Sequence, residues 1–308
     1  MFKPLSMQDE RHYQRTSTSD QQNTYLDVDV VKKVQEDDGY RKKVELFEKS
    51  LLNTITTNGW ILDVGAGTCG EDEYLSTKCF RIICTDVNEV GLAVSRERAE
   101  KYGRPFLKYL ACDGQNLPLK DGSISAVLFS ESLHHLPDAS AALSEVARVL
   151  EPGGQVCLLE PYSYDPWRRI SEIRDYFRGT IEKSFSITQL RKMLLAEGLE
   201  PVHIERPIYL SRFKLDRLSR FRRFARKIYY GMREAFPSAL GMIWMLAVKG
   251  GAPEVDPARG LPSCPTGAMP LGDANASRTP ARAAMPQPST SVRTTPASNL
   301  ESLLSYSA

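Results

Sequence analysis

Three glycines stand at the spacing Gly65-x-Gly67-x-x-Gly70, directly after the short apolar run Ile61-Leu62-Asp63-Val64. Glycine lets a backbone approach a ligand closely and take positive φ. A helix starting there offers unpaired N–H groups and the positive end of its dipole. The spacing satisfies the dinucleotide fingerprint formally, and a plain strand-to-helix turn also satisfies it. Asp86 follows 21 residues after Gly65, at the end of the apolar run Arg81 to Thr85. An acid at that place can accept both hydroxyl protons of a ribose. Asp113 ends a third run and can accept an exocyclic amine, or serve as the turn residue of Asp-Gly. His134 and His135 are two of only four histidines, and an unperturbed imidazole, with a pKa of about 6.5, suits a general base. Glu160 closes a fifth run and reads as a second acid/base candidate or an orienting carboxylate.

These residues need a scaffold that gathers them. Val44, Phe47, Leu51, Leu52 and Ile55 have helical spacing over 39–57, and Asn58-Gly59 stops that helix. Strands are expected at 61–64, 81–85, 106–111, 124–129 and 155–159, with helices at 89–102 and 139–150 between them. Alternation of this kind argues an α/β fold with a doubly wound parallel sheet and helices on both faces. Ligands on such sheets lie beyond the carboxyl ends of the strands. Gly65, Asp86, Asp113, Ser130 and Glu160 all fall there.

Composition is that of an ordinary globular chain, 42% hydrophobic and 25% charged, and a formal net charge of +2 implies no polyanionic partner. The six cysteines form no C-x-x-C pair and no zinc-like set with histidine, so no metal is expected and a reducing, cytoplasmic setting fits. Residues 1–25 are polar, lack the apolar core of a signal peptide, and read as a flexible segment.

Four stretches in order carry a family resemblance. They are Asp63-Val64-Gly65-Ala66-Gly67, Asp113-Gly114-Gln115-Asn116-Leu117-Pro118-Leu119, Phe129-Ser130-Glu131-Ser132-Leu133-His134-His135-Leu136, and Glu145 through the turn Pro152-Gly153-Gly154. Together they resemble the class I S-adenosylmethionine-dependent methyltransferases, most closely the small-molecule group of ubiquinone/menaquinone type. The resemblance covers about residues 40–160 well and 161–250 loosely. It implies a seven-stranded sheet of order 3-2-1-4-5-7-6 with strand 7 antiparallel. It also implies S-adenosylmethionine as cofactor. Asp63, Gly65, Ala66 and Gly67 would meet its methionine part, Asp86 and Val87 its ribose and adenine, Asp113 and Gly114 the adenine edge, and Ser130 the methionyl amine. The acceptor would be a small, apolar or aromatic molecule. Methyl transfer from a sulfonium is chiefly alignment, which can supply about 7–11 kcal/mol. His135, then His134, then Glu160 are the candidate bases. An RNA or protein methyltransferase and a catalytically silent interaction protein are the alternatives.

Beyond Pro161 the chain departs from the pattern. Tyr162, Tyr164, Trp167, Tyr176 and Phe177 make an aromatic-rich segment suited to a lid or to helix packing. About residues 212–234, nine basic side chains face Asp216 alone up to Arg233, beside an apolar stripe of Leu215, Leu218, Phe221, Ala225, Ile228 and Met232. That is the pattern of a helix lying on an anionic membrane surface; packing on the sheet edge is the competing reading, and nucleic acid is disfavoured. Residues 251–308 hold nine of the 19 prolines and no periodic apolar pattern, so a disordered tail is expected, with 26–250 as the one folded domain.

Overall fold

The computed structural model describes residues 5–19, 25–55, 59–104, 106–163, 172–207, 228, 231–232, 242–250 and 303–304. Seven strands form one sheet: β1 (Trp60–Val64), β2 (Arg81–Asp86), β3 (Leu107–Ala111), β4 (Ile124–Ser130), β5 (Leu150–Pro161), β6 (Leu199–Glu205) and β7 (Met242–Lys249). Their order is β3-β2-β1-β4-β5-β7-β6. The first five pair in parallel, whereas β7 runs antiparallel between β5 and β6. The expected order and the antiparallel strand are both present.

Helices α1 (Met7–Ser19), α2 (Val30–Glu36), α3 (Asp38–Ile55), α4 (Gly70–Ser76), α5 (Glu89–Lys101), α6 (Ala139–Val149) and α7 (Ile187–Ala196) surround it. Two apolar clusters form the core. Val44, Phe47 and Leu51 of α3 pack with Ile61, Ile82, Leu128 and Trp244 in one; Leu143 and Val146 of α6 pack with Leu62, Val127 and Leu158 in the other. β1 and β4 are buried along almost their whole length. Central parallel strands are covered on both faces, which is why they read as continuous apolar runs.

Several expectations need correction. Residues 7–19 form α1 although the sequence shows no apolar stripe there. Ser6 caps it, its hydroxyl accepting from the Asp9 N–H while the Asp9 carboxylate accepts from the Ser6 N–H at 2.8 Å. Its buried residues are polar, Glu10 and Thr18, so hydrophobic periodicity could not reveal it. β5 is longer than expected: Pro152-Gly153-Gly154 lies inside it, with Gly153 at φ +77° and a shifted register against β4. Leu303 and Leu304 pack on the core, the latter bridging Leu119, so this part of the expected tail is docked. The rest of the tail, and residues 212–234 other than 228, 231 and 232, lie outside the described residues. Cys69, Cys84, Cys112 and Cys157 are free thiols, while Cys79 is disulfide-bonded. Among the described residues no helix is long and apolar enough to cross a membrane.

Candidate active site

The tips of β1, β2, β3 and β4 surround a cavity of about 210 Å³. Gly65 and Gly67 both take positive φ, +77° and +57°, where side chains are strained. A Cβ on Gly65 would lie 2.6 Å from the Ser132 Cβ, whereas one on Gly67 would meet nothing within 4 Å. The loop therefore presses against Ser132, just past β4, on one side and leaves its backbone open on the other. Gly91 in the first turn of α5 lies under it: a Cβ there would come within 2.7 Å of the Gly67 carbonyl oxygen.

Asp86 ties the loop to β2. Its Oδ2 accepts from the Gly67 N–H at 2.8 Å and its Oδ1 from the Asn88 N–H at 2.7 Å. Burial raises the Asp86 pKa against the pull of those two N–H groups. Asn88 caps α5 and also reaches α1, donating to the Thr18 hydroxyl at 2.8 Å.

The two histidines are in different surroundings. His134 is buried, with Nδ1 at 2.7 Å from Glu160 Oε2 and Nε2 at 3.6 Å from Glu182 Oε2. Glu160 also accepts the Ser132 and Leu133 N–H groups, so it fixes the 3₁₀ turn Leu133–His135. Burial pushes its carboxyl up to about 8, against those two N–H donors. His135 lines the cavity. Its Nδ1 stands 2.6 Å from the Ile181 carbonyl oxygen and 3.4 Å from Glu10 Oε1. A carbonyl only accepts, so Nδ1 carries the hydrogen and Nε2 holds the basic lone pair.

Of the residues singled out from sequence, Gly65, Gly67, Asp86, Val87, Gly114 and His135 line the cavity together. The others do not. Asp63 is buried behind the loop, its carboxyl raised well above the usual range by burial and by the neighbouring Asp72. Asp113 spends its carboxylate on Gln115, at 2.8 Å from the backbone N–H and 3.0 Å from Nε2. The Ser130 hydroxyl is buried without a hydrogen-bond partner, and Ala66, His134 and Glu160 are also off the cavity wall. The aromatic lid expectation falls partly on residues 164–171, outside the described ones; Tyr162 packs on the core and Phe177 is exposed.

Sequence reasoning missed α1 altogether. Met7, Glu10 and Gln14 of α1 line the cavity together with the glycine loop. Glu10 is 2% exposed and accepts from the Thr180 hydroxyl at 2.9 Å, the Ile181 N–H and Gln14 Nε2 at 2.7 Å. The one sequence signal was the Ser6-x-x-Asp9 cap. Cys112 also lines the cavity, but burial holds its thiol at about 12, so it is no thiolate nucleophile at neutral pH.

An open glycine loop and an acid at the second strand tip are the features an adenosyl group with a charged amino-acid tail needs. Residues 62–158 match the family model described as a methyltransferase domain. This is a class I S-adenosylmethionine-dependent methyltransferase domain. The chain is 29% identical over 194 residues to phthiotriol/phenolphthiotriol dimycocerosates methyltransferase 1 of Mycobacterium ulcerans, covering 61% of this chain and 66% of that protein. It is 32% identical over 152 residues to a ubiquinone/menaquinone biosynthesis C-methyltransferase of Brucella canis, covering 44% and 56%. The chain thus spans less than two thirds of the length of these relatives. The fold is shared with geranyl diphosphate C-methyltransferase of Streptomyces coelicolor A3(2), at 18% identity and a TM-score of 0.50, over 62% of this chain and 72% of that one.

Proposed function

We propose that the chain methylates a small apolar acceptor of lipid or quinone type, with His135 as general base. The observation that carries this is the placing of His135 across one cavity from Gly67 and Asp86, its tautomer fixed by the Ile181 carbonyl. When bound, S-adenosylmethionine supplies a methyl group on a sulfonium, already reactive toward a nucleophile. Gly65, Ala66 and Gly67 would offer backbone to its amino-acid part, Asp86 and Val87 would hold the ribose side, and Gly114 the adenine side. His135 Nε2 would take the proton that the acceptor's O–H or C–H gives up as the new bond to carbon forms. The Ile181 carbonyl, with Glu10 beside it, would then stabilise the imidazolium. The cavity, about 210 Å³, is smaller than usual ligand sites of about 300–1,000 Å³, and movement of the α1 wall would enlarge it.

The acceptor class is supported by the relatives, named for phthiotriol dimycocerosates, a quinone and, in Mycolicibacterium smegmatis, a fatty acid. It is also supported by the exposed apolar pair Ile173 and Phe177, and by Ile228 and Met232 of the basic stretch, which are 50% and 42% exposed. A basic stretch with exposed apolar residues favours work at an anionic membrane surface.

Labelled S-adenosylmethionine incubated with demethylated quinones, long-chain acids and water-soluble phenols should label the first two groups preferentially. Transfer to phenols alone, or tight NAD binding instead, overturns the reading. Co-sedimentation with anionic but not neutral vesicles, lost when Arg220, Arg222, Arg223 and Arg226 become Gln, checks the membrane part.

A further inference from the structure

Behind the glycine loop, off the cavity, three side chains converge whose chemistry the methyl transfer does not use. Cys69 ends the loop, Asp72 stands three residues on in α4, and Cys84 comes from β2. Their sulfur and carboxylate atoms lie within 4.8 Å of one another, and all three residues are 0% exposed. Neither oxygen of Asp72 has a hydrogen-bond partner, and Oδ1 of the adjacent Asp63 has none. A buried carboxylate without donors is costly. The nearby cations are engaged elsewhere: Lys43 with Glu71 and Glu131 at 2.8 and 2.9 Å, and Arg98 with Glu73 at 2.5 Å.

We propose that Cys69, Asp72 and Cys84 form a site for a thiophilic divalent cation of the zinc class. Two thiolates select zinc over magnesium or calcium. A tetrahedral ion with Zn–S of about 2.3 Å sets its donors roughly 3.8 Å apart, so ligand atoms within 4.8 Å of one another need to close by at most about 1 Å. The three residues supply three donors, and the fourth tetrahedral position is left to a water or to the unpartnered Oδ1 of Asp63. Binding displaces the two thiol protons, and any proton on Asp72, to water. C-x-x-D with its third ligand on a neighbouring strand is not a spacing that sequence rules flag. The ion would bind the loop's end to β2 from behind, as Asp86 does from in front, and so stiffen the backbone that faces the cavity.

The untagged full chain is freed of metal with a chelator, then titrated with Co²⁺ and, separately, Zn²⁺. The expected result is one ion per chain, a thiolate-to-cobalt charge-transfer band with tetrahedral visible bands, and a melting temperature that rises with Zn²⁺. Cys69→Ser and Asp72→Asn should each abolish the band, whereas Cys112→Ser should keep it. A folded wild-type chain that binds S-adenosylmethionine yet shows no cobalt band overturns the proposal. So does binding of one Co²⁺ per chain without any thiolate band, which would place the ion on a group free of sulfur such as His134, His135 and Glu182. Should the variants fail to fold, the wild-type titration alone decides.

Discussion

The two walls of the cavity are built on opposite plans. The glycine-loop wall is continuous with the sheet: apolar strands fix its position, the Gly65 and Ala66 N–H groups donate to the Thr85 carbonyl at 2.8 and 2.9 Å, and Asp86 bonds backbone groups 19 and two residues away. The α1 wall has no apolar anchor of comparable depth. It is held by Glu10 to residues 170 and 171 positions distant, by Asn88 to Thr18, and by Arg11 and Arg15 to Glu89 at 3.1 Å each. Exposed ion pairs like the last two contribute little, so the buried Glu10 carries most of that wall. A wall made by core packing holds its shape with or without ligand. A wall made by a few polar ties can open.

The largest effect should come where the two walls meet. His135→Ala is expected to lower turnover by about 10²–10⁴-fold while cofactor affinity, measured by calorimetry, stays within a few-fold. An equal loss of both would mean that His135 shapes the cavity and moves no proton. On the rigid wall, Asp86→Ala removes a buried acceptor from two N–H groups at about 1.5–3 kcal/mol, so cofactor affinity should fall roughly tenfold or more. Unchanged affinity would show that the loop holds without its tie.

Glu10→Ala tests the mobile wall. It leaves the Thr180 hydroxyl and the Ile181 N–H without their acceptor, and proteolysis within residues 7–19 should accelerate severalfold while the global melting temperature moves by only a few degrees. A large global drop would instead make α1 part of the core. The smallest effect concerns Glu160. Its pKa, about 8 when folded, exceeds that of an unfolded glutamate, so its contribution is fully present below about pH 4.5 and is lost as pH rises through 8. Between pH 5 and 8.5 the melting temperature of the wild type should therefore decline more steeply than that of Glu160→Gln. Parallel curves would show that the proton lies elsewhere in the His134–Glu160 pair.

The same contrast decides what could be read from the sequence. Strands β1, β2 and β4 are buried apolar runs, the glycine spacing is local, and Asp86 follows at a distance set by one helical crossover. All three signals survive in one dimension. Asp63, Asp113 and Ser130 lie at the right strand tips, but strand alternation and local turns direct their side chains away from the cavity, and tip position alone does not reveal that. The α1 wall was illegible because its decisive contact joins Glu10 to Thr180 and Ile181. Polar pairing across such distances leaves no periodic trace, and only the cap at Ser6 marked a helix at all. Leu303 and Leu304 were hidden for a similar reason, since two apolar residues are too few to register as a pattern.

Gly91 has a consequence for how this chain tolerates change. In the interior of an exposed helix, alanine is favoured over glycine by about 1 kcal/mol, and a consensus-minded engineer would make that exchange in α5 first. Here the added methyl would arrive 2.7 Å from the Gly67 carbonyl oxygen, which is backbone and cannot rotate aside. The substitution that helix propensity rewards is thus the one that the loop forbids. Position 91 belongs to the ligand-facing loop in selective terms, although it is 24 residues downstream of Gly67 and never touches the cavity.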